Sequence, residues 1–133
     1  MTTVRVETIT ASQFPVTVQL RGHTFTADVG PASGGTDSAP GPHDYFDAAL
    51  ATCKALTAMW YAKRHAIPLE RVESVVDSDA SREPRGVYAM RVQLVFHGPI
   101  SDDQRAALYR AAEACPISKL MTTSEVTIET AAP

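Results

Sequence analysis

Cysteine is scarce in this 133-residue sequence, which contains only Cys53 and Cys115. Two cysteines are too few for a disulfide-stapled secreted scaffold, and their spacing matches neither a CxxC redox motif nor a zinc finger. Because a free cysteine behaves as a small hydrophobic residue, the simplest interpretation of each is a buried thiol in a reducing compartment. Any chemical role must therefore be argued from the local sequence around each cysteine.

Excess positive charge and long apolar runs are also missing. Twelve Lys and Arg against fifteen Asp and Glu give a net charge of -3, which argues against a nucleic-acid partner because phosphate binding needs a clustered cationic face. No apolar run approaches the roughly 20 residues that span a bilayer. The first residues lack the charged and apolar regions of a signal peptide. We therefore expect a soluble cytoplasmic protein with no membrane partner.

The composition that remains is that of one globular domain, with 44% hydrophobic and 20% charged residues. A chain of this length can bury roughly two thirds of its unfolded surface, so a core is possible without disulfides. Residues 30–42 hold four Gly and three Pro and cannot form regular structure. Because the residues before this segment are too few for an independent core, we interpret it as a functional loop inside one domain over residues 1–133.

Alternating apolar residues predict an N-terminal group of strands, with a tight hairpin at Arg21-Gly22-His23. A long helix is predicted over residues 43–65, with Cys53 near its midpoint and Lys54 as the only charge between residues 48 and 58. Its apolar positions recur every three or four residues, which predicts a covered face. That face contains Phe46, Leu50, Cys53, Thr57 and Trp60.

The second half of the chain predicts two more strands and a helix. The strands cover residues 72–76 and 87–96, and Ser101 and Gln104 form a capping box that opens the helix. Pro116 either ends that helix or begins a short new one, so Cys115 lies at a helix terminus in both cases. Alternation at residues 126–128 predicts a closing strand. This order predicts an α+β fold, a mainly antiparallel sheet with a long central helix.

A reactive cysteine must form a thiolate, which needs nearby positive charge or a helix N-terminus. Cys53 lies in the middle of an apolar helix face and is inert unless a cation reaches it from elsewhere in the fold. Arg21 is one candidate, since Lys54 points about 100° away around the helix. Cys115, beside Pro116, has the easier route to a thiolate.

Two segments resemble the signature of the OsmC/Ohr family of osmotically inducible and organic hydroperoxide resistance proteins. The first is GGTDSAPGPHDYFDAALATC at residues 34–53, and the second is ACPISK at residues 114–119. Residues 126–130 resemble the closing strand of the family, and the whole resemblance covers about residues 22–130. It implies the OsmC-like fold, an intertwined homodimer with its sites at the subunit interface.

The same resemblance implies the chemistry. Cys53 would be the peroxidatic thiolate that attacks an organic hydroperoxide, and Cys115 would resolve the sulfenic acid as a Cys53–Cys115 disulfide. A lipoyl-type dithiol would then reduce the disulfide by thiol exchange. Neither a metal nor a flavin cofactor is needed.

The sequence departs from the peroxidase pattern at the start of the helix. In peroxidase members of the family a Glu directly follows the proline, whereas here Pro42 is followed by His43 and then Asp44. An acidic residue one place later resembles the OsmC-like branch, but the shift rotates the side chain by about 100°. Asp44 is therefore either a catalytic carboxylate that holds Arg21, or a first-turn carboxylate that favours the helix dipole.

Two functions follow from these observations. The first is a thiol-dependent peroxidase that reduces organic hydroperoxides. The alternative is a non-enzymatic dimeric binding protein for a small apolar ligand, in which the cysteines are packing residues. The two cysteines in their family-like segments make the peroxidase the leading hypothesis, and the apolar face around Cys53 and the missing Glu are the reasons to keep the alternative.

Overall fold

The computed structural model describes all 133 residues, which form two compact units, Met1–Phe46 and Asp47–Pro133. A long helix, α1 (Pro42–Arg64), begins in the first unit and continues into the second. Each unit contains an antiparallel sheet, so the predicted α+β class with antiparallel strands and one long helix is confirmed. One domain over residues 1–133 stays a prediction.

The first unit is built on a three-stranded sheet. Its strands are β1 (Val4–Thr8), β2 (Val16–Leu20) and β3 (His23–Ala27), paired antiparallel in that order. Arg21 and Gly22 connect β2 to β3 with φ angles of 47° and 81°. Two successive left-handed residues match the twist of a two-residue hairpin, so the predicted hairpin is confirmed.

The start of α1 packs on this sheet within the first unit. The ring of Tyr45 lies 5.0 Å from that of Phe25, and the Tyr45 hydroxyl donates a hydrogen bond of 2.6 Å to the Thr26 carbonyl. Val18 and Ala27 are the buried hydrophobic residues of the sheet. These contacts hold the first turn of α1 on β3.

The second unit contains the hairpin of β4 (Arg71–Asp79) and β5 (Ala89–His97). β4 extends beyond the predicted end at residue 76, because residues 77–79 pair with β5 despite their polar side chains. A ladder of backbone hydrogen bonds forms regardless of side-chain polarity when a partner strand is present. Alternate residues of both strands face the helices, as the alternation predicted.

Two further helices follow the hairpin. α2 (Asp102–Glu113) begins with the predicted capping box, since Ser101 accepts from the Gln104 N–H and Gln104 accepts from the Ser101 N–H. α3 (Pro116–Thr122) begins directly after Cys115. Of the two interpretations of Pro116, the start of a short new helix is therefore confirmed.

Small side chains let the helices approach one another in the core of the second unit. The fully or nearly fully buried members of this core come from α1, β5 and α2: Ala58, Ala62, Phe96, Leu108 and Ala112. Alanine leaves room for close helix packing, whereas the larger Leu108 and Phe96 fill the remaining volume.

The buried face of α1 differs from the predicted one. Leu50, Ala58 and Ala62 are its buried residues, whereas Trp60 is 60% exposed in this chain. The helix is apolar around most of its circumference, so hydrophobic spacing alone did not select one side. The small residues Ala58 and Ala62 allow the closest packing and therefore face the core.

The predicted closing strand is wrong. Residues 125–130 have no regular secondary structure, and Val126 and Ile128 are 63% and 85% exposed. A strand requires a neighbour whose backbone N–H and C=O groups pair with its own. No strand of this chain pairs with the segment, so alternation alone does not make it a strand.

Candidate functional site

Cys53 lies in the middle of α1 and is partly exposed. Its sulfur lies 3.9 Å from Oγ1 of Thr57, one turn later on the same helix face. The helical spacing of four residues produces this contact directly. The thiol therefore has one polar neighbour from its own helix and remains accessible to a small molecule.

Cys115 occupies the N-cap of α3 and is fully buried. Its backbone is extended, with φ −63° and ψ 145°, and Pro116 fills the first helical position. The sulfur accepts a hydrogen bond of 3.4 Å from the backbone N–H of Ser118. Both cysteines are free thiols.

Lys54 connects the two cysteine-bearing segments within the second unit. Its ammonium group donates a hydrogen bond of 3.0 Å to the carbonyl of Ala112, at the end of α2. The same carbonyl accepts the backbone N–H of Cys115 at 3.3 Å. The sequence shows Lys54 only as an isolated charge in an apolar helix, and its partner could not be predicted from local spacing.

The other two predicted site residues belong to the first unit. Arg21 is exposed in the turn between β2 and β3. Asp44 lies in the first turn of α1, where its Oδ2 accepts the backbone N–H of Gly41 at 2.8 Å. This bond satisfies a backbone donor at the start of the helix. Catalytic roles for Arg21 and Asp44 stay predictions.

A polar cluster near the start of the second unit was missed by the sequence reasoning. Asp47 of α1 accepts hydrogen bonds of 2.7 Å from the hydroxyls of both Ser78 and Tyr88. A hydrogen bond with Ser78 lowers the pKa of Tyr88, but the bond to Asp47, desolvation and the charges of Asp47 and Glu83 together raise it above its usual value. The cluster attaches α1 to the β4–β5 hairpin, six positions before Cys53.

A buried carboxylate holds the Gly- and Pro-rich loop of the first unit. Asp28 is 3% exposed. It accepts the backbone N–H groups of Val29, Thr36 and Ser38 and both hydroxyls of Thr36 and Ser38. The backbone and side-chain bonds from Ser38, followed by the bond from Val29, hold the pKa of Asp28 far below its usual range. The loop that precedes α1 is therefore ordered around one anion.

Two kinds of feature are absent from the 133 residues. No group of three or more His, Cys, Asp or Glu side chains is placed to hold a metal ion. None of the helices combines the length and the apolar character needed to cross a membrane.

The chain is an α+β protein with two antiparallel sheets. One cysteine lies in the middle of its long helix, and the second lies at the N-cap of a short helix. The family model described as OsmC-like protein matches residues 35–131, a range that includes both Cys53 and Cys115 of this chain. The chain belongs to the OsmC-like protein family. This finding confirms the resemblance inferred from the two motifs. No curated protein sequence matches the chain.

Solved structures of this family share the fold at low sequence identity. An OsmC-like protein from Mycoplasma pneumoniae is 20% identical, with a TM-score of 0.74, 92% of this chain covered and 88% of the other. An organic hydroperoxide resistance protein OsmC from Legionella pneumophila is 21% identical, with a TM-score of 0.66 and coverage of 92% and 90%. The organic hydroperoxide resistance protein OhrB of Bacillus subtilis is 23% identical, with a TM-score of 0.59 and coverage of 92% and 91%.

Proposed function

We propose that the protein is a thiol-dependent peroxidase that reduces organic hydroperoxides. The observation that carries this proposal is the difference in exposure between two thiols of one compact unit. Cys53 is partly exposed, whereas Cys115 is fully buried. The backbone N–H of Cys115 donates to the Ala112 carbonyl, which also accepts a hydrogen bond from Lys54. Membership of a family that includes proteins named for organic hydroperoxide resistance supports the same chemistry.

In the first step the Cys53 thiolate attacks the outer oxygen of the hydroperoxide. The O–O bond breaks, the alkoxide leaves and takes a proton to become an alcohol, and Cys53 becomes a sulfenic acid. Cys53 has this role because a peroxide can reach its partly exposed sulfur, whereas the sulfur of Cys115 is enclosed.

In the second step the Cys115 sulfur attacks the sulfenic acid sulfur, and water leaves as the Cys53–Cys115 disulfide forms. The Ser118 N–H, which donates a hydrogen bond to the Cys115 sulfur, helps to hold that sulfur in place for the attack. A dithiol of the lipoyl type then exchanges with the disulfide and restores both thiols. A homodimer with its sites at the subunit interface belongs to the same proposal.

In this proposal Arg21 supplies the positive charge that the Cys53 thiolate needs, and the Asp44 carboxylate holds the Arg21 guanidinium in place. One oxygen of Asp44 bonds to the Gly41 N–H, and a carboxylate has further lone pairs with which to hold a guanidinium. We expect Asp44→Asn to slow oxidation of Cys53 about tenfold, because a neutral amide holds Arg21 less firmly. Stopped-flow measurement of Cys53 oxidation checks this, and an unchanged rate would leave Asp44 with its helix-start role only.

The proposed activity is tested by titrating the reduced protein with cumene hydroperoxide and, side by side, with hydrogen peroxide. One equivalent of the organic hydroperoxide should consume both thiols and give a Cys53–Cys115 disulfide detected by peptide mass spectrometry. Cys53→Ser should remove the reaction, and Cys115→Ser should leave a persistent sulfenic acid that dimedone traps. Two free thiols after stoichiometric exposure would exclude a peroxidase.

A second candidate function is a dimeric protein that binds a small apolar ligand. A groove of about 280 Å³ lies between α1 and β4, lined by Ala51, Thr52, Ala55, Leu56 and Ser74. The Ser74 hydroxyl is buried and has no hydrogen-bond partner. A ligand that copurifies in native mass spectrometry, together with thiols that resist peroxide, would favour this function over the first.

A further inference from the structure

The hydrogen bond between the Lys54 ammonium group and the Ala112 carbonyl is partly buried and 3.0 Å long. Lys54 is half-buried, and an ammonium group withdrawn from water needs a strong acceptor. The carbonyl of Ala112 lies in the last turn of α2, where carbonyl groups lack partners within the helix. A cation placed there also interacts favourably with the helix dipole. Lys54 is therefore fixed on the end of α2 rather than extended into solvent.

The contact joins the two cysteines through the backbone. Lys54 directly follows Cys53 on α1, and the carbonyl that it holds also accepts the N–H of Cys115. A carbonyl oxygen has two lone pairs, so it accepts both donors at once. Movement of the α2–α3 junction away from α1 beyond the reach of the Lys54 side chain would break this bond.

We propose that Lys54 is a positioning residue that holds the Cys115 segment at the distance from Cys53 needed for disulfide formation. The inference rests on the proposed function for its role in turnover, but the effect on the two thiols exists without any peroxide. Lys54 acts on the second step, the attack of Cys115 on the Cys53 sulfenic acid with loss of water. It does not act on the first step, because its ammonium group is directed to the Ala112 carbonyl.

The first test measures the equilibrium between the Cys53–Cys115 dithiol and its disulfide in glutathione redox buffers of known composition. Acid quenching and alkylation fix the two forms for counting. Lys54→Met keeps a long apolar side chain. It should lower the effective concentration of the Cys115 thiol relative to Cys53 about tenfold. Lys54→Arg keeps a cationic donor and should restore most of the wild-type value. Lys63→Met is the matched control, because Lys63 is an exposed lysine of the same helix.

The second test separates the two chemical steps. With cumene hydroperoxide, Lys54→Met should form the Cys53 sulfenic acid within about twofold of the wild-type rate but condense it about tenfold more slowly. A purely structural role would lower the unfolding temperature without separating the two rates. Lys54→Gln, which also lacks the ammonium group, serves if Lys54→Met does not fold, and the same loss is expected.

The outcomes distinguish this inference from the proposed function. If the thiols resist cumene hydroperoxide, the peroxidase is excluded. If they nevertheless form a disulfide in glutathione and Lys54→Met makes that disulfide less favourable, the role of Lys54 is supported. A wild-type chain that forms no Cys53–Cys115 disulfide in glutathione would overturn that role. It would also be overturned if Lys54→Met kept the wild-type effective concentration, or if Lys63→Met lowered it equally.

Discussion

Asp28 illustrates how much of the first unit depends on a single side chain. One of its oxygens accepts the N–H of Val29, and the other accepts two backbone and two hydroxyl donors from Thr36 and Ser38. An ionised carboxylate only accepts, so all five donors are satisfied at once. An amide of the same shape would place an NH₂ group against at least one backbone N–H.

We therefore expect Asp28→Asn to lower the midpoint of thermal unfolding by several degrees at pH 7. The pKa of Asp28 is depressed in the folded state, so its stabilisation is complete above the unfolded value of about 3.9 and is lost as the pH falls below it. The difference between wild type and variant should shrink between pH 5 and pH 3 in calorimetry, within the range in which both fold reversibly.

Asp37→Asn is the matched control for this prediction. Asp37 is exposed in the same loop, and its φ of 55° is one that Asn tolerates. Its unfolding midpoint should equal that of the wild type. A difference between Asp28→Asn and wild type that stays constant down to pH 3 would show that Asp28 does not stabilise the fold as an anion.

The residues of the candidate site were predictable only in part. Cys53 and Cys115 could be identified because each lies in a distinctive run of neighbouring residues. Lys54 stood out as an isolated charge and Asp28 did not, and the partners of both, Ala112 and Ser38, could not be predicted from local spacing. Hydrogen bonds of this kind depend on tertiary geometry, which hydrophobic periodicity does not encode.

At the scale of elements, the loop between β3 and α1 has a conformation determined by backbone hydrogen bonds and close contacts. Gly35 donates its N–H to the Gly30 carbonyl, and a side chain at Gly35 would collide with the Val29 carbonyl and with Asp28. Backbone atoms cannot move aside as a flexible side chain can, so only glycine fits here. The glycine at position 35 is therefore required by close packing.

Gly35→Ala should consequently destabilise the protein by about 2 kcal/mol or more, measured as the free energy of unfolding in urea. Gly30→Ala is the control, because a Cβ at Gly30 meets no atom within 4 Å and its φ is not positive. The control should change stability by less than about 0.5 kcal/mol. Equal effects of the two substitutions would argue against a collision at Gly35.

The elements themselves were predictable where local chemistry determines them. The capping box of Ser101 and Gln104 fixes the start of α2, and the Arg21–Gly22 turn fixes a hairpin. The end of β4 and the closing segment at residues 125–130 were not, because strands exist only through their partners. Local alternation identifies residues able to pair, and the presence of a partner decides whether they do.

At the scale of the whole molecule, many large hydrophobic side chains of this chain are exposed. Leu56, Met59 and Trp60 lie on adjacent turns of α1 and are 58%, 42% and 60% exposed. Val75 and Val95 are 53% and 44% exposed on the β4–β5 hairpin. Neighbouring exposed hydrophobic residues such as those of α1 mark surfaces that a protein partner covers.

We expect the protein to be an obligate dimer in solution, with an interface of more than about 2,000 Å² that includes the exposed residues of α1. Light scattering at micromolar concentration should give twice the chain mass. Leu56→Glu should dissociate or unfold the dimer, because a carboxylate cannot be buried there without a partner. Arg110→Glu, on the exposed side of α2, should leave it unchanged, and a stably folded wild-type monomer would contradict the prediction.

The complete enclosure of Cys115 also gives the protein an internal probe of its own dynamics. A thiol that is 0% exposed reacts with iodoacetamide only during openings of the α2–α3 junction. In the Cys53→Ser variant its alkylation rate, divided by that of an unfolded thiol, would equal the fraction of time spent open when closing is fast. The alkylation rate of Cys115 would therefore report how stably the α2–α3 junction stays closed.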